Sequence, residues 1–187
     1  MQPEGVAAKC CLWCGAPLTV QSIDGRERLA CSCGYVFWNN PVPVVGAIVE
    51  LGTKVLLTRK AGWPPEIWGL VAGFVEAGET MEEAAGREVQ EETGLQAQVL
   101  ALVGVYTLLH RNQVYTVYRV RGSGRWQVGE ELEALREFDR AEVAALVEQL
   151  PTQSGAGRAL REWLALPSEC SPANPRGSCH TPPPGNP

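Results

Sequence analysis

The 187-residue chain predicts a mixed α/β layer fold preceded by a small cysteine-rich module. Three observations carry that prediction. Aliphatic and β-branched runs of strand length recur between Val42 and Phe138. Helix-like stretches fall among and after them, which suits strands layered against helices. Five of the seven cysteines crowd between Cys10 and Cys33, in a segment too short to build a core of its own.

The elements follow in order. Val42 to Leu51 and Lys54 to Thr58 are strand-like runs split by Gly52, a pattern that suits a hairpin or two sequential strands. A loop with Gly62, Pro64 and Pro65 comes next, then a polar helix over about Met81 to Glu92. Gln98 to Leu109 and Gln113 to Arg121 are the next strands, the second with Val114, Thr116, Tyr118 and Val120 on one side. A strand near Leu132 to Phe138 leads into a helix starting at Asp139. Gly155 to Leu166 reads as a last helix, with Leu160, Trp163 and Leu164 at helical spacing. Three zones result: 1–38 rich in cysteine, 39–166 with alternating elements, and 167–187, a Pro-rich tail expected to be disordered because it has little apolar surface to bury.

Composition narrows the function classes. Lys and Arg total 16 against 21 Asp and Glu, so the formal charge is −5, and a general nucleic-acid binder with a basic stripe is not expected. No apolar run reaches membrane-spanning length, and Met1 to Gly25 carries no secretory pattern, so a cytoplasmic location is expected.

The chemistry concentrates between Gly73 and Leu95. Thr80 with Glu83 three residues on is a capping box, and Gly94 is placed to end the helix. At about 100° per residue, Met81, Ala84 and Ala85 mark the inward face, and Glu88, Glu91 and Glu92 project over the same side. Carboxylates turned toward the protein repel one another and resist burial unless cations neutralise them. Arg87 reaches Glu91 or Glu83 at four residues' spacing, but one guanidinium cannot balance three anions. A hard divalent cation can, which favours Mg²⁺ or Mn²⁺. The competing reading is a solvated Glu-rich helix.

The spacing G-x5-E-x7-R-E-U-x-E-E-x-G-U, with U aliphatic, is met at Gly73, Glu79, Arg87, Glu88, Val89, Glu91, Glu92, Gly94 and Leu95. This segment resembles the Nudix box. The preceding Trp68 to Gly73 is similar to the family's W-x-L-P-G-G, departing at Val71 and Ala72. The resemblance implies a Nudix α/β/α sandwich around a mixed sheet that hydrolyses a nucleoside diphosphate linked to another moiety. It also implies Glu88, Glu91 and Glu92 as metal ligands, and Glu79 acting through an outer contact or a water. Arg87 would orient a glutamate, and the carbonyl of Gly73 or Ala72 would add a ligand. The general base is left open among Glu91, Glu92 and Glu131.

Cys11-x2-Cys14-Gly15 and Cys31-x-Cys33-Gly34 look like the two knuckles of a zinc ribbon, whose four thiolates suit tetrahedral Zn²⁺. The second knuckle is one residue tighter than usual, and Cys10 is a substitute or a bystander. With Tyr35 to Pro41 following, the arrangement resembles Nudix hydrolases that carry an N-terminal zinc ribbon. The S-Q-P-W-P-F-P-x-S motif of the NADH pyrophosphatase group is absent from the sequence, while Gln113-Val-Tyr115 and Gly129-Glu-Glu131 resemble the ADP-ribose and FAD pyrophosphatases. ADP-ribose or FAD is therefore the expected substrate, with NADH next, and a homodimer is an open expectation. A non-catalytic nucleotide sensor is the alternative.

Substrate contacts are expected from Arg59 to the phosphates, Phe74 to a base, and Glu76 to a ribose hydroxyl. Trp38, Trp63, Trp68, Tyr106 and Tyr115 are read as core residues before stacking platforms, and His110 as a turn histidine.

Overall fold

A computed structural model describes residues 10–167. The proline-rich tail beyond Pro167, with Cys170, Cys179 and His180, lies outside the described residues. Two sheets are present. β1 (Thr19–Ile23), β2 (Arg26–Ala30) and β3 (Val36–Phe37) form a small antiparallel sheet in the cysteine module. None of these three strands is legible as one in the sequence: β1 is short and mostly exposed, β2 is short with three charged residues, and β3 is two residues long.

The main sheet contains β4 (Val42–Leu51), β5 (Lys54–Lys60), β6 (Val71–Phe74), β7 (Gln96–Leu108), β8 (Gln113–Ser123) and β9 (Leu132–Phe138). Its order is β7-β8-β4-β5-β9, and it is mixed: β4 runs parallel to β8, and every other pairing is antiparallel. β4 shares one edge between two partners. Val49 to Leu51 pair with β5, while Val44 to Ala47 pair with the short β6. The divergence of β5 from β4 creates the gap that β6 fills, and it brings Ala72 and Gly73 to a cleft, where the Ala72 carbonyl accepts from Lys60.

β4 is buried on both faces, so its sequence reads as a continuous apolar run rather than an alternation. Val44 and Ile48 join a core with Val143, Leu146 and Val147 of α2 (Arg140–Gln149) and with Ala159, Leu160 and Trp163 of α3 (Gly155–Ala165). The alternate residues Val45, Ala47 and Val49 join a second core with Ala84, Ala85 and Val89 of α1 (Met81–Thr93). Helices therefore cover both faces, giving the expected α/β/α sandwich. Each helix starts where its cap is written: Thr80 and Asp139 complete capping boxes with Glu83 and Glu142, and Ser154 caps α3. Among the described residues no helix is long and apolar enough to cross a membrane.

Candidate active site

α1 carries the acidic set along the floor of an open cleft of about 1790 Å³. That volume exceeds the ~300–1,000 Å³ of a drug-sized pocket. The inward arc of α1 holds Ala84, Ala85, Val89, Glu92 and Thr93. Glu92 lies within that arc and is 5% exposed. Glu88 is half-buried at its flank, and Glu91, about 100° round the helix from Glu92, has a side chain 59% exposed. The three carboxylates share one side, as the spacing predicts, but at three different depths.

Arg87 organises the outer carboxylates. Its guanidinium donates to both oxygens of Glu79 at 2.7 and 3.0 Å, to Glu88 Oε1 at 2.8 Å, to Glu91 Oε2 at 3.0 Å and to the Phe74 carbonyl at 3.0 Å. The Glu76 amide also donates to Glu79, at 2.8 Å. Arg87 first, then that amide, hold the Glu79 carboxyl down at about 2. In return the Arg87 guanidinium is held still more firmly protonated, chiefly by Glu79. Glu83 takes no part, since it caps the Thr80 amide.

Glu92 is left out of this network. Neither of its oxygens accepts a hydrogen bond, and the nearest cation is Lys60, whose Nζ stands 3.4 Å from Oε1. Burial pushes the Glu92 carboxyl up to about 7 against the opposing pull of Lys60, and the charges of Glu88 and Glu131 add to the rise. A buried pair of carboxylate oxygens that accepts no hydrogen bond and has one loosely placed ammonium beside it, facing a cleft, fits a cation-binding role, as does the hard oxygen donor set around it.

Two glycines make the geometry possible. A Cβ on Gly73 would come within 1.9 Å of Glu88 Oε1, so only glycine lets that carboxylate lie against β6. A Cβ on Gly129 would stand 2.8 Å from the carbonyl oxygens of Glu91 and Glu92. The close approach lets the Gly129 amide donate to the Glu92 carbonyl and the Gln127 amide to that of Thr93, at 3.0 and 2.9 Å. These bonds satisfy carbonyls at the C-terminal end of α1 and seat the loop that carries Glu131 at the cleft.

The expected substrate contacts divide. Phe74, 58% exposed, and the exposed Glu76 line the cleft. Arg59 is not among the lining residues: its guanidinium pairs with Glu133 at 3.1 Å, donates to the Pro65 carbonyl and lies over the Trp68 ring. Arg59 and Lys60 are consecutive on β5 and leave opposite faces of the strand, and Lys60 is the one that enters the cleft; the extra residue in the β5–β9 register is Glu133 of β9, the ion-pair partner of Arg59. Sequence reasoning missed Lys60, which is one basic residue beside another. Trp63, 37% exposed, lines the cleft and is not a core residue, whereas Tyr106 and Tyr115 are buried as expected. His110 lies exposed at the rim, in a 3₁₀ turn over Leu109–Arg111.

In the cysteine module the four Sγ atoms of Cys11, Cys14, Cys31 and Cys33 lie within 4.8 Å of one another. Two contacts, Cys11 to Cys33 and Cys14 to Cys31, are 3.5 Å, far too long for disulfides. Thiolates ~2.3 Å from a tetrahedral ion stand ~3.8 Å apart, so this cluster can hold a metal, and the tighter second knuckle is no obstacle. Cys10 is exposed and stands outside the cluster. No described residue of this module lines the cleft.

Fold and acidic cleft together are those of a hydrolase of the α/β/α-sandwich class. The NUDIX domain pattern matches residues 40–163, and the chain belongs to the Nudix hydrolase family. The structure is similar to that of a NUDIX hydrolase from Nitrosomonas europaea, with a TM-score of 0.72 and 30% identity over 83% of this chain and 90% of that one. Among curated proteins, the NAD-capped RNA hydrolase NudC of Chromobacterium violaceum is 39% identical over 90 residues, 48% of this chain and 34% of that protein. The human mitochondrial NAD(P)H pyrophosphatase NUDT13 is 34% identical over 90 residues, 48% of this chain and 25% of its own length. The ADP-ribose pyrophosphatase of Methanocaldococcus jannaschii is 43% identical over 74 residues, 39% of this chain and 44% of that protein. The matched region thus spans less than half the length of each curated relative.

Proposed function

We propose that this Nudix hydrolase cuts the pyrophosphate bond of a nucleoside diphosphate joined to a second moiety, releasing a nucleoside monophosphate. The carrying observation is Glu92: a buried carboxylate that accepts no hydrogen bond, lining an open cleft of about 1790 Å³. Glu92 and Glu88, with Glu91 at the outer edge and a carbonyl of Ala72 or Gly73, would hold Mg²⁺ or Mn²⁺. That ion supplies charge neutralisation of the pyrophosphate and an acidified water. Arg87 fixes Glu88 and Glu91 in place and keeps Glu79 as a neutralised brace rather than a free ligand. Glu91 and Glu131, both open to water in the cleft, are the carboxylates available to take a proton. Phe74 and Trp63 offer ring faces to a base, each worth about 1–3 kcal/mol where stacking forms.

ADP-ribose is the leading substrate, on the residues at 113–115 and 129–131 and on the Methanocaldococcus relative. FAD stands beside it on the same residues. The names of the Chromobacterium and human relatives favour a second reading, NAD(H) or its RNA-capping form, which the acidic overall charge does not exclude. The Cys11, Cys14, Cys31 and Cys33 cluster is proposed to hold a structural Zn²⁺. AMP release from ADP-ribose, FAD, NADH and NAD-capped RNA, measured with Mg²⁺ and with Mn²⁺, tests the assignment. Activity confined to nucleoside triphosphates overturns it.

A further inference from the structure

Lys60 holds an unusual position. Its Nζ lies 3.4 Å from Glu92 Oε1 and 3.4 Å from the carbonyl oxygen of Ala72. Both distances exceed the ~2.7–2.9 Å of a firm charge-assisted bond. The ammonium therefore neutralises Glu92 without bonding tightly to either oxygen, and Glu92 remains without a hydrogen bond. Those two oxygens belong to the set that would hold the divalent ion. The lysine side chain is about one-third exposed and lines the cleft, so its stem has room to turn. A lysine suits such movement, as a compact charge on a flexible four-carbon stem, where an arginine fork would lock onto the carboxylate. The neighbouring Arg59 does lock, on Glu133.

We propose that Lys60 is a resident counter-cation of the metal site. Its ammonium fills the space between Glu92 and the Ala72 carbonyl, yields that space to a divalent ion, and then turns toward the anionic pyrophosphate in the cleft. Lys60 thus competes with metal in the absence of substrate and assists substrate once metal is bound. It keeps Glu92 from standing as an uncompensated buried charge between turnovers. This inference rests on the metal site proposed above.

The test is a Mn²⁺ titration of the full chain without substrate, followed by electron paramagnetic resonance, for the wild type, Lys60→Met and Glu92→Gln. Lys60→Met is expected to bind Mn²⁺ more tightly by about fivefold or more, the lower range of a coupling between sites. The KM for ADP-ribose is expected to rise in the same variant. A merely structural lysine would weaken metal binding or leave it unchanged when removed, and that result overturns the proposal. Glu92→Gln distinguishes the lysine role from the metal site itself. If it abolishes Mn²⁺ binding while Lys60→Met leaves affinity unchanged, the lysine role fails and the metal site stands; if it binds Mn²⁺ like the wild type, the metal site itself fails. Lys60→Gln, checked by thermal melting, replaces the methionine variant should that one misfold.

Discussion

Glu92→Gln tests the site through stability as well as activity. In the ion-free protein the Glu92 carboxyl titrates near 7 against an ordinary 4.5, because burial disfavours its charge. Below pH 4.5 both folded and unfolded chains hold the proton, and the pH-linked cost of burying the charge vanishes. Between 4.5 and 7 the unfolded chain releases its proton while the folded one keeps it, so stability falls as pH rises. Above 7 the full cost stands; at about 1.4 kcal/mol per pH unit it reaches about 3 kcal/mol. Glutamine has the same shape without the charge. The variant should therefore gain up to about 3 kcal/mol above pH 7 and nothing below 4.5. For a chain of this size that raises the melting temperature by up to roughly 10 °C. Melting curves from pH 4 to 8 without added Mg²⁺ or Mn²⁺ read this directly, and added Mn²⁺ should stabilise the wild type alone. In the same variant AMP release should fall at least ~100-fold, the scale of a lost base or metal ligand. A variant less stable than the wild type at pH 8, or one with near-normal turnover, refutes the reasoning.

Three further outcomes are expected. Gly73→Ala drives a Cβ into Glu88 Oε1 and should lower turnover by ~10–100-fold through misplacement of that carboxylate, with a circular dichroism spectrum like the wild type. Arg87→Lys keeps the charge but cannot span Glu79, Glu88, Glu91 and the Phe74 carbonyl; a loss of about 2 kcal/mol in urea unfolding is expected, together with reduced activity. Cys31→Ser should reduce protein-bound zinc from one per chain to none by elemental analysis, while the variant keeps most of its AMP-releasing activity, since no described residue of that module lines the cleft.

The main fold was largely legible because its signals are local. The apolar run at Val42–Leu51, the caps at Thr80 and Asp139, and the spacing of Leu160 and Trp163 each reflect nearest-neighbour physics, and the strands and helices fall within a few residues of expectation. β6 was not legible: four residues between two loops become a strand only because β4 offers an edge that β5 has left. The acidic set was visible as a spacing, but the depth of each carboxylate was not. A face assignment places Glu88, Glu91 and Glu92 together, whereas burial, set by how α1 rests on Val45 and Val71, singles out Glu92. The same limit explains Arg59 and Lys60. Their order in sequence favours neither; Arg59 is taken up by Glu133, the extra residue of β9 in the β5–β9 register, and Lys60 is left as the cation at the cleft.

The join between the two sheets has a consequence for what aligns the first strand of the hydrolase. β4 takes its alignment from β8, and the Asn112 that precedes β8 both accepts the Val42 amide and donates its side-chain amide to the backbone and side chain of Asn39 and to the carbonyl of Asn40. The first strand of the hydrolase is thus anchored from within its own domain. The bonds that tie Asn39, Asn40 and Val42 to Asn112 involve none of the four clustered cysteines, so the alignment of β4 on β8 does not draw on that cluster.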